Sequence, residues 1–216
     1  MYQRSQVEEA ISKLLEPRVR QPSSALRTRI KRLFETDRAL GRNPGSNDPE
    51  EDRYAFFREA APGSGFEVQF SSYEVFALLF ALQLMAHNWP QRFAVLVMRR
   101  VRRDLEKEHD RILKIDPTAL FDEKEITRNR TPGAIAYDTT EPAFLVIVSR
   151  YGLTRDMEKA PFACSVHSDI DSASEWVSKT VKGVGGGSSM FELTIAAHEL
   201  ARQLERTKPR RRGRAG

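Results

Sequence analysis

The chain has 216 residues, 40% of them apolar, a net charge of +5 and a single cysteine, Cys164. That length suits one domain or two small ones with a real core, and one cysteine excludes an intrachain disulfide and a cysteine-built zinc site. The most apolar run, Val75 to Ala86, is too short for a bilayer, and Met1 to Gln6 lacks a secretory apolar region, so a cytoplasmic protein without a membrane partner is expected.

Ser5 to Leu15 predicts a first helix, with Val7, Ile11, Leu14 and Leu15 on one face and Ser5 and Glu8 at capping-box spacing. Pro17 closes it. A basic helix follows from Ser24 to Leu40, with Ser24 as its cap and Gly41 at its end. Leu26, Ile30, Leu33 and Leu40 share an apolar face, with Asp37 near that seam. Arg27, Lys31 and Arg38 line one flank, and Arg29 and Arg32 the other. Before residue 35 the chain carries eight bases against Glu8, Glu9 and Glu16. A helix that packs by one face and presents cations elsewhere suits a duplex major groove, although it also describes a solvated surface helix. The connecting turn is longer than the 3–4 residues usual in a helix-turn-helix.

Gly41 to Asp52 is a Gly-, Pro-, Asn- and Asp-rich loop. Tyr54, Phe56 and Arg58 then alternate, as do Phe66, Val68 and Phe70, with Pro62-Gly63-Ser64-Gly65 between them. This predicts a hairpin, the wing of a winged helix, from which Arg53 or Arg58 would approach phosphate. Ser71 and Glu74 form a second capping-box pair before a helix apolar nearly all round, Val75 to Met85. Pro90 opens a long helix from Gln91 to about Ile115. Met98, Val101, Leu105 and Ile112 keep a 3–4 spacing along it, which predicts either a two-stranded coiled coil for dimerisation or a helix packed on its own domain. Arg99, Arg100, Arg102 and Arg103 form a second basic block there.

Beyond Asp116 the pattern is α+β. A short helix from Glu123, a short strand at Ala134 to Tyr137, a central strand at Ala143 to Val148, and a strand at Phe162 to His167 are predicted. A helix at Ser172 to Val181 with Trp176 inward, a strand at Ser189 to Ile195 and a helix at His198 to Arg206 complete the unit. Gly183 to Ser189 reads as a connector, since it lacks the Lys-Ser or Lys-Thr pair of a phosphate loop. The basic tail from Arg206 is expected to be disordered. The predicted domains are therefore 1–90, a long helix 91–115, an α+β unit 116–205 and the tail 206–216.

Chemistry-bearing patterns are sparse. His87, His109, His167 and His198 are scattered, and His198-Glu199 lacks a second histidine at position 202, so no metal or cofactor is expected. Cys164 and His167 fall on opposite faces of one strand. An enzyme in the C-terminal unit would have to draw on Asp138, His167, Asp169 or Asp171, and no catalytic constellation emerges from them.

The order of elements in residues 2–115 resembles the winged-helix domain of the mercury-resistance (MerR) type transcription regulators. Ser23-Ser24-Ala25-Leu26-Arg27 is similar to the serine-capped start of that family's recognition helix, and Phe70 to Val75 through Trp89 to Phe93 looks like its second helical pair. Thr28-Arg29 stands where the family has an aromatic pair, and Asn88 where a glycine is usual. The resemblance implies a homodimer joined by the long helix on duplex DNA of two-fold symmetry. Double-stranded DNA is thus the expected partner, contacted by Ser24, Arg27, Arg29, Lys31, Arg32, Arg38, Arg53 and Arg58, with a further protein or small molecule conceivable at the C-terminal unit. The competing expectation is a protein-interaction module that oligomerises through the apolar Val75–Ala86 helix and leaves its bases to solvent.

Overall fold

The computed structural model describes residues 1–59, 68–128, 139–150, 162–181 and 186–209. The fold is α+β, with helices dominating and small antiparallel sheets. The chain divides into two compact units: residues 1–99 with 199–216, and residues 100–198. This division differs from the boundaries expected from sequence. The long helix is not a separate segment, because the boundary falls inside it.

In the first unit, strand β1 (Tyr2–Gln3) leads into helix α1 (Arg4–Leu15) and then α2 (Ser24–Ala39). A short α3 (Pro49–Asp52) and strand β2 (Gln69–Phe70) precede α4 (Ser72–Ala86). Helix α1 buries Val7 and Ile11 of its predicted face together with Ala10, while Leu14 and Leu15 are half-buried. Its start differs from expectation. The N-cap is Gln3, whose N–H donates to the Gln6 side chain, while Glu8 pairs with Arg4 at 2.8 Å. Helix α4 has the expected capping box: the Glu74 N–H donates to Ser71 Oγ, and the Ser71 N–H to the Glu74 carboxylate. Val75 through Leu82 are buried all round this helix. It closes at Asn88, whose φ of 65° is the left-handed conformation that ends many helices. Asparagine tolerates that conformation better than most other non-glycine residues.

The hairpin expected between residues 54 and 70 is not what the described residues form. Gln69 and Phe70 pair instead with Gln3 and Tyr2, antiparallel, and Tyr54 to Glu59 is not a strand. The reason lies in two adjacent amides. Ala55 and Phe56 both donate their N–H to the Asp37 carboxylate, each at 3.0 Å. Consecutive amides of a strand point to opposite sides, so two that converge on one carboxylate cannot belong to a ladder. Ala55, Phe56 and Phe57 are all buried, which also breaks the predicted alternation. Phe34, Phe57 and Phe70 gather there, the Phe34 and Phe70 rings stacked at 5.1 Å. The predicted turn, Pro62 to Gly65, lies outside the described residues.

Helix α5 (Gln91–Ile112) crosses from the first unit into the second. Short α6 (Pro117–Leu120) and α7 (Glu123–Arg128) follow. Strands β3 (Phe144–Arg150), β4 (Phe162–His167) and β5 (Gly186–Glu192) form an antiparallel sheet in the order β4-β3-β5. The continuous apolar run is the central strand, as expected, with Leu145, Val146 and Ile147 wholly buried. Helix α8 (Ile170–Thr180) lays Ile170, Ala173, Trp176 and Val177 against Phe144 and Val146. Helix α9 (Thr194–Arg206) starts earlier than predicted, because the Glu192 carboxylate accepts the N–H groups of Thr194 and Ile195 and caps it there. The glycine-rich connector partly becomes β5, and residues 182–185, like the strand expected at 134–137, lie outside the described residues.

The tail also begins later than its charge suggests. Arg206 is helical, and Thr207 is buried with its carbonyl accepting the Gln6 side-chain amide at 3.1 Å. Residues 210–216 lie outside the described residues. Among those described, no helix is long and apolar enough to cross a membrane.

Candidate nucleic-acid interface

Helix α2 is held at both ends. At its start the cap is Ser23 rather than Ser24: Ser23 Oγ accepts the Leu26 N–H at 3.0 Å. The Ser23 hydroxyl in turn donates to Glu16 at 2.6 Å, and the Ser23 N–H to the same carboxylate at 3.1 Å. One carboxylate at the end of α1 therefore fixes the first turn of α2. These bonds hold the Glu16 carboxyl below its usual range, the Ser23 hydroxyl being the main cause and the Arg29 charge a smaller one. Ser24 is exposed as the first helical residue, free of capping duty.

The second half of α2 is anchored through Asp37. Its carboxylate takes Arg99 Nε at 2.7 Å besides the Ala55 and Phe56 amides. Arg99 also donates to the Asp37 carbonyl, and to the Glu50 carbonyl at 2.8 Å. Both side chains are essentially inaccessible, 1% and 0% exposed. A buried acid in an apolar seam is stable only when paired and hydrogen-bonded, and here every requirement is met. Gln91 adds a further tie, donating to the Arg32 carbonyl and the Thr36 hydroxyl.

With Leu26, Ile30, Leu33, Phe34 and Asp37 buried and Thr36 half-buried, the other residues between Ser24 and Ala39 are exposed. Arg27, Arg29, Lys31, Arg32 and Arg38 are all exposed. Arg27 lies 3.5 Å from Glu8, and Lys31 lies 3.6 Å from Glu35. Arg29 and Arg32 make no ion pair among the described residues. Arg38 lies 4.7 Å above the Phe57 ring. Exposed pairs of this kind hold their cations weakly and release them to a stronger anion at little cost. The two residues expected from a wing are placed differently. Arg53 is exposed and paired with its neighbour Asp52 at 2.9 Å, and Arg58 is exposed with its carbonyl accepting from Arg42. They sit on an irregular segment rather than a hairpin.

The proposed dimerisation residues require correction. Met98, Val101, Leu105 and Ile112 are buried within the single chain, none more than 3% exposed. Of the two readings the spacing allows, packing within its own chain is the one realised, so this seam offers nothing to a partner helix. The near all-apolar α4 is likewise consumed by its own core.

The residues considered for catalysis stay apart in role. Asp169 caps α8 through the Ser172 amide, Asp171 is an exposed first-turn residue, and His167 packs against Trp176 at 5.7 Å between ring centroids. Asp138 lies outside the described residues. Cys164 pairs with Ile147 and His167 with Phe144, on opposite faces as expected, but Cys164 is half-buried. Among the described residues no three His, Cys, Asp or Glu side chains are grouped to hold a metal.

Sequence reasoning missed Glu16, Ser23 and Arg99 as the residues that place α2. The signal for Arg99 was present in Asp37, an acid interrupting an apolar seam and so in need of a buried partner. Comparison with known family models, curated proteins and solved structures finds no match.

Proposed function

We propose that this chain binds double-stranded DNA through the exposed face of α2, in the manner of a helix-turn-helix regulator. The observation that carries this reading is the division of α2 itself. One face is buried and pinned by Glu16, Ser23, Asp37 and Arg99, while five cations on its remaining surface are exposed. A pre-set helix with projecting Arg and Lys side chains meets phosphates without the entropic cost of ordering the backbone. The competing oligomerisation reading has less support, because Val75 through Leu82 of α4 are buried within this chain. The reading retains the two helices and the basic face of the MerR-type resemblance. The β1–β2 pair replaces a hairpin wing, and Arg53 and Arg58 flank the helix as auxiliary phosphate contacts.

Fluorescence anisotropy with a labelled duplex at several salt concentrations tests this. Replacing Arg29 and Arg32 together with Ala should weaken binding about tenfold near 0.1 M salt and reduce the slope of log K against log salt by about 2. Unaltered affinity and slope would remove α2 from the interface. Light scattering of the complex shows whether one chain or two occupy the duplex.

A further inference from the structure

Opposite its buried stripe α2 carries a narrow strip of residues that are not bases. Ser24, Thr28, Glu35 and Ala39 lie within about 60° of one another around the helix, with Lys31 beside the strip on one edge and Arg32 on the other at mid-length, and all four are exposed. Arg27, Lys31 and Arg38 flank this ridge on one side, Arg29 and Arg32 on the other. The arrangement matches a duplex groove in cross-section. A helix with its side chains is about 10–12 Å across and the major groove about 12 Å wide, so lateral cations reach the phosphates of both lips while the central ridge meets the base edges.

Glu35 is the informative member, because helix energetics do not account for it. Its partner Lys31 precedes it by four residues, the less favourable order for an i,i+4 pair, and the two charges are 3.6 Å apart on side chains 64% and 57% exposed. An acid near the end of a helix that stops at Ala39 also opposes the macrodipole. On a phosphate-binding surface a carboxylate is repelled everywhere except over the groove floor, where amino groups point outward. A carboxylate accepts there from the cytosine N4 amino group. Thr28, a turn and more before it, has the methyl and hydroxyl that suit a thymine methyl or a neighbouring polar edge.

We infer that the Ser24–Thr28–Glu35 ridge reads base sequence, with Glu35 accepting a hydrogen bond from a cytosine amino group in the major groove. This rests on the proposed duplex binding and assigns the cations to phosphate alone. The ridge from residue 24 to 35 is about 16 Å long, so it covers about five base pairs.

Selection of the full chain against a randomised duplex library, followed by sequencing, tests it. The unaltered chain should enrich a site with about five specified base pairs, one of them strongly C·G. Glu35→Ala should lose about tenfold preference at that one pair and keep the others, and an unchanged melting temperature checks that it is folded. Three outcomes overturn the inference: an E35A site identical to the parent's; an E35A gain in affinity spread evenly over all duplexes, which marks Glu35 as a mere phosphate repellent; or duplex binding by the parent with no enrichment. The last leaves duplex binding standing. Failure of the parent to bind any duplex removes both.

Discussion

Two stretches of this chain each carry four arginines and have opposite fates. In α2 the bases Arg27, Arg29, Lys31, Arg32 and Arg38 all face solvent. In α5 the block Arg99, Arg100, Arg102 and Arg103 is largely withdrawn from it. Arg99 and Arg102 are 2% and 6% exposed, and Arg100 donates to the Phe162 carbonyl with its guanidinium 3.8 Å above the Phe162 ring. Of the four, Arg103 alone is exposed. What separates the stretches is how much of each helix circumference the core covers. α2 is covered on one stripe, so its bases fall outside it. α5 is covered more widely, Val97, Met98, Val101 and Leu105 being wholly or nearly buried, and arginines on that surface must be paired inside. A count of charges therefore does not locate an interface; the phase of those charges against the buried stripe does.

The sharpest way to break this comparison is to remove one arginine from each helix. Arg99→Ala leaves the Asp37 carboxylate buried with two amides as its remaining donors, and should cost about 3–5 kcal/mol of stability. Arg29→Ala, on an exposed position, should cost no more than about 0.5 kcal/mol. Urea denaturation of both variants decides it. Equal midpoints would mean that the buried pair contributes nothing that the exposed cation does not.

The next largest effect follows from acid. Burial pushes His109 on α5 down to about 4 from its usual value near 6.5, the nearby Asp110 only partly opposing it. His167 and His198 are lowered by burial as well. A histidine depressed in the folded state binds its proton first when unfolded. Its contribution is fully present above about pH 6.5 and is lost as the pH falls toward 4. For His109 alone the loss approaches about 3 kcal/mol at the lower end. Melting temperatures of the parent and of His109→Gln between pH 4 and 7 should converge at low pH. Parallel curves would show that His109 is not responsible.

Much of this was legible in the amino-acid sequence, and the exceptions have physical reasons. Helices α1, α2 and α5 follow from apolar periodicity, α4 from its capping box and a near-continuous apolar run, and the central position of β3 from an uninterrupted apolar run. Periodicity shows which residues are buried but not what buries them, so Met98, Val101, Leu105 and Ile112 fitted a partner chain as well as their own. The hairpin at 54–70 failed because alternation over a few residues says nothing of where the amides go, and here Asp37, distant in sequence, takes two of them. The outward set of cations on α2 was readable. The residues that place it were not, since Glu16 and Arg99 act through partners that only folding brings near.

The smallest effect tests how α2 begins. Two adjacent serines compete for the cap, and sequence preference does not separate them. In the structure Ser23 accepts the Leu26 amide and donates to Glu16, whereas Ser24 projects outward. Ser23→Ala should cost about 1 kcal/mol and Ser24→Ala a few tenths at most. Loss of the Ser23 hydroxyl should also move the Glu16 carboxyl upward, since that bond is the main cause of its depression. Carboxyl NMR titration reads this shift directly. A depressed carboxylate contributes stability above its unfolded value and loses it as the pH falls, so S23A should also blunt the acid sensitivity of the α1–α2 turn. If Ser24→Ala carried the cost instead, the first turn of α2 would start one residue later. Thr28 and Glu35 would hold their spacing, but the Glu16 clasp that sets the helix against α1 would be lost.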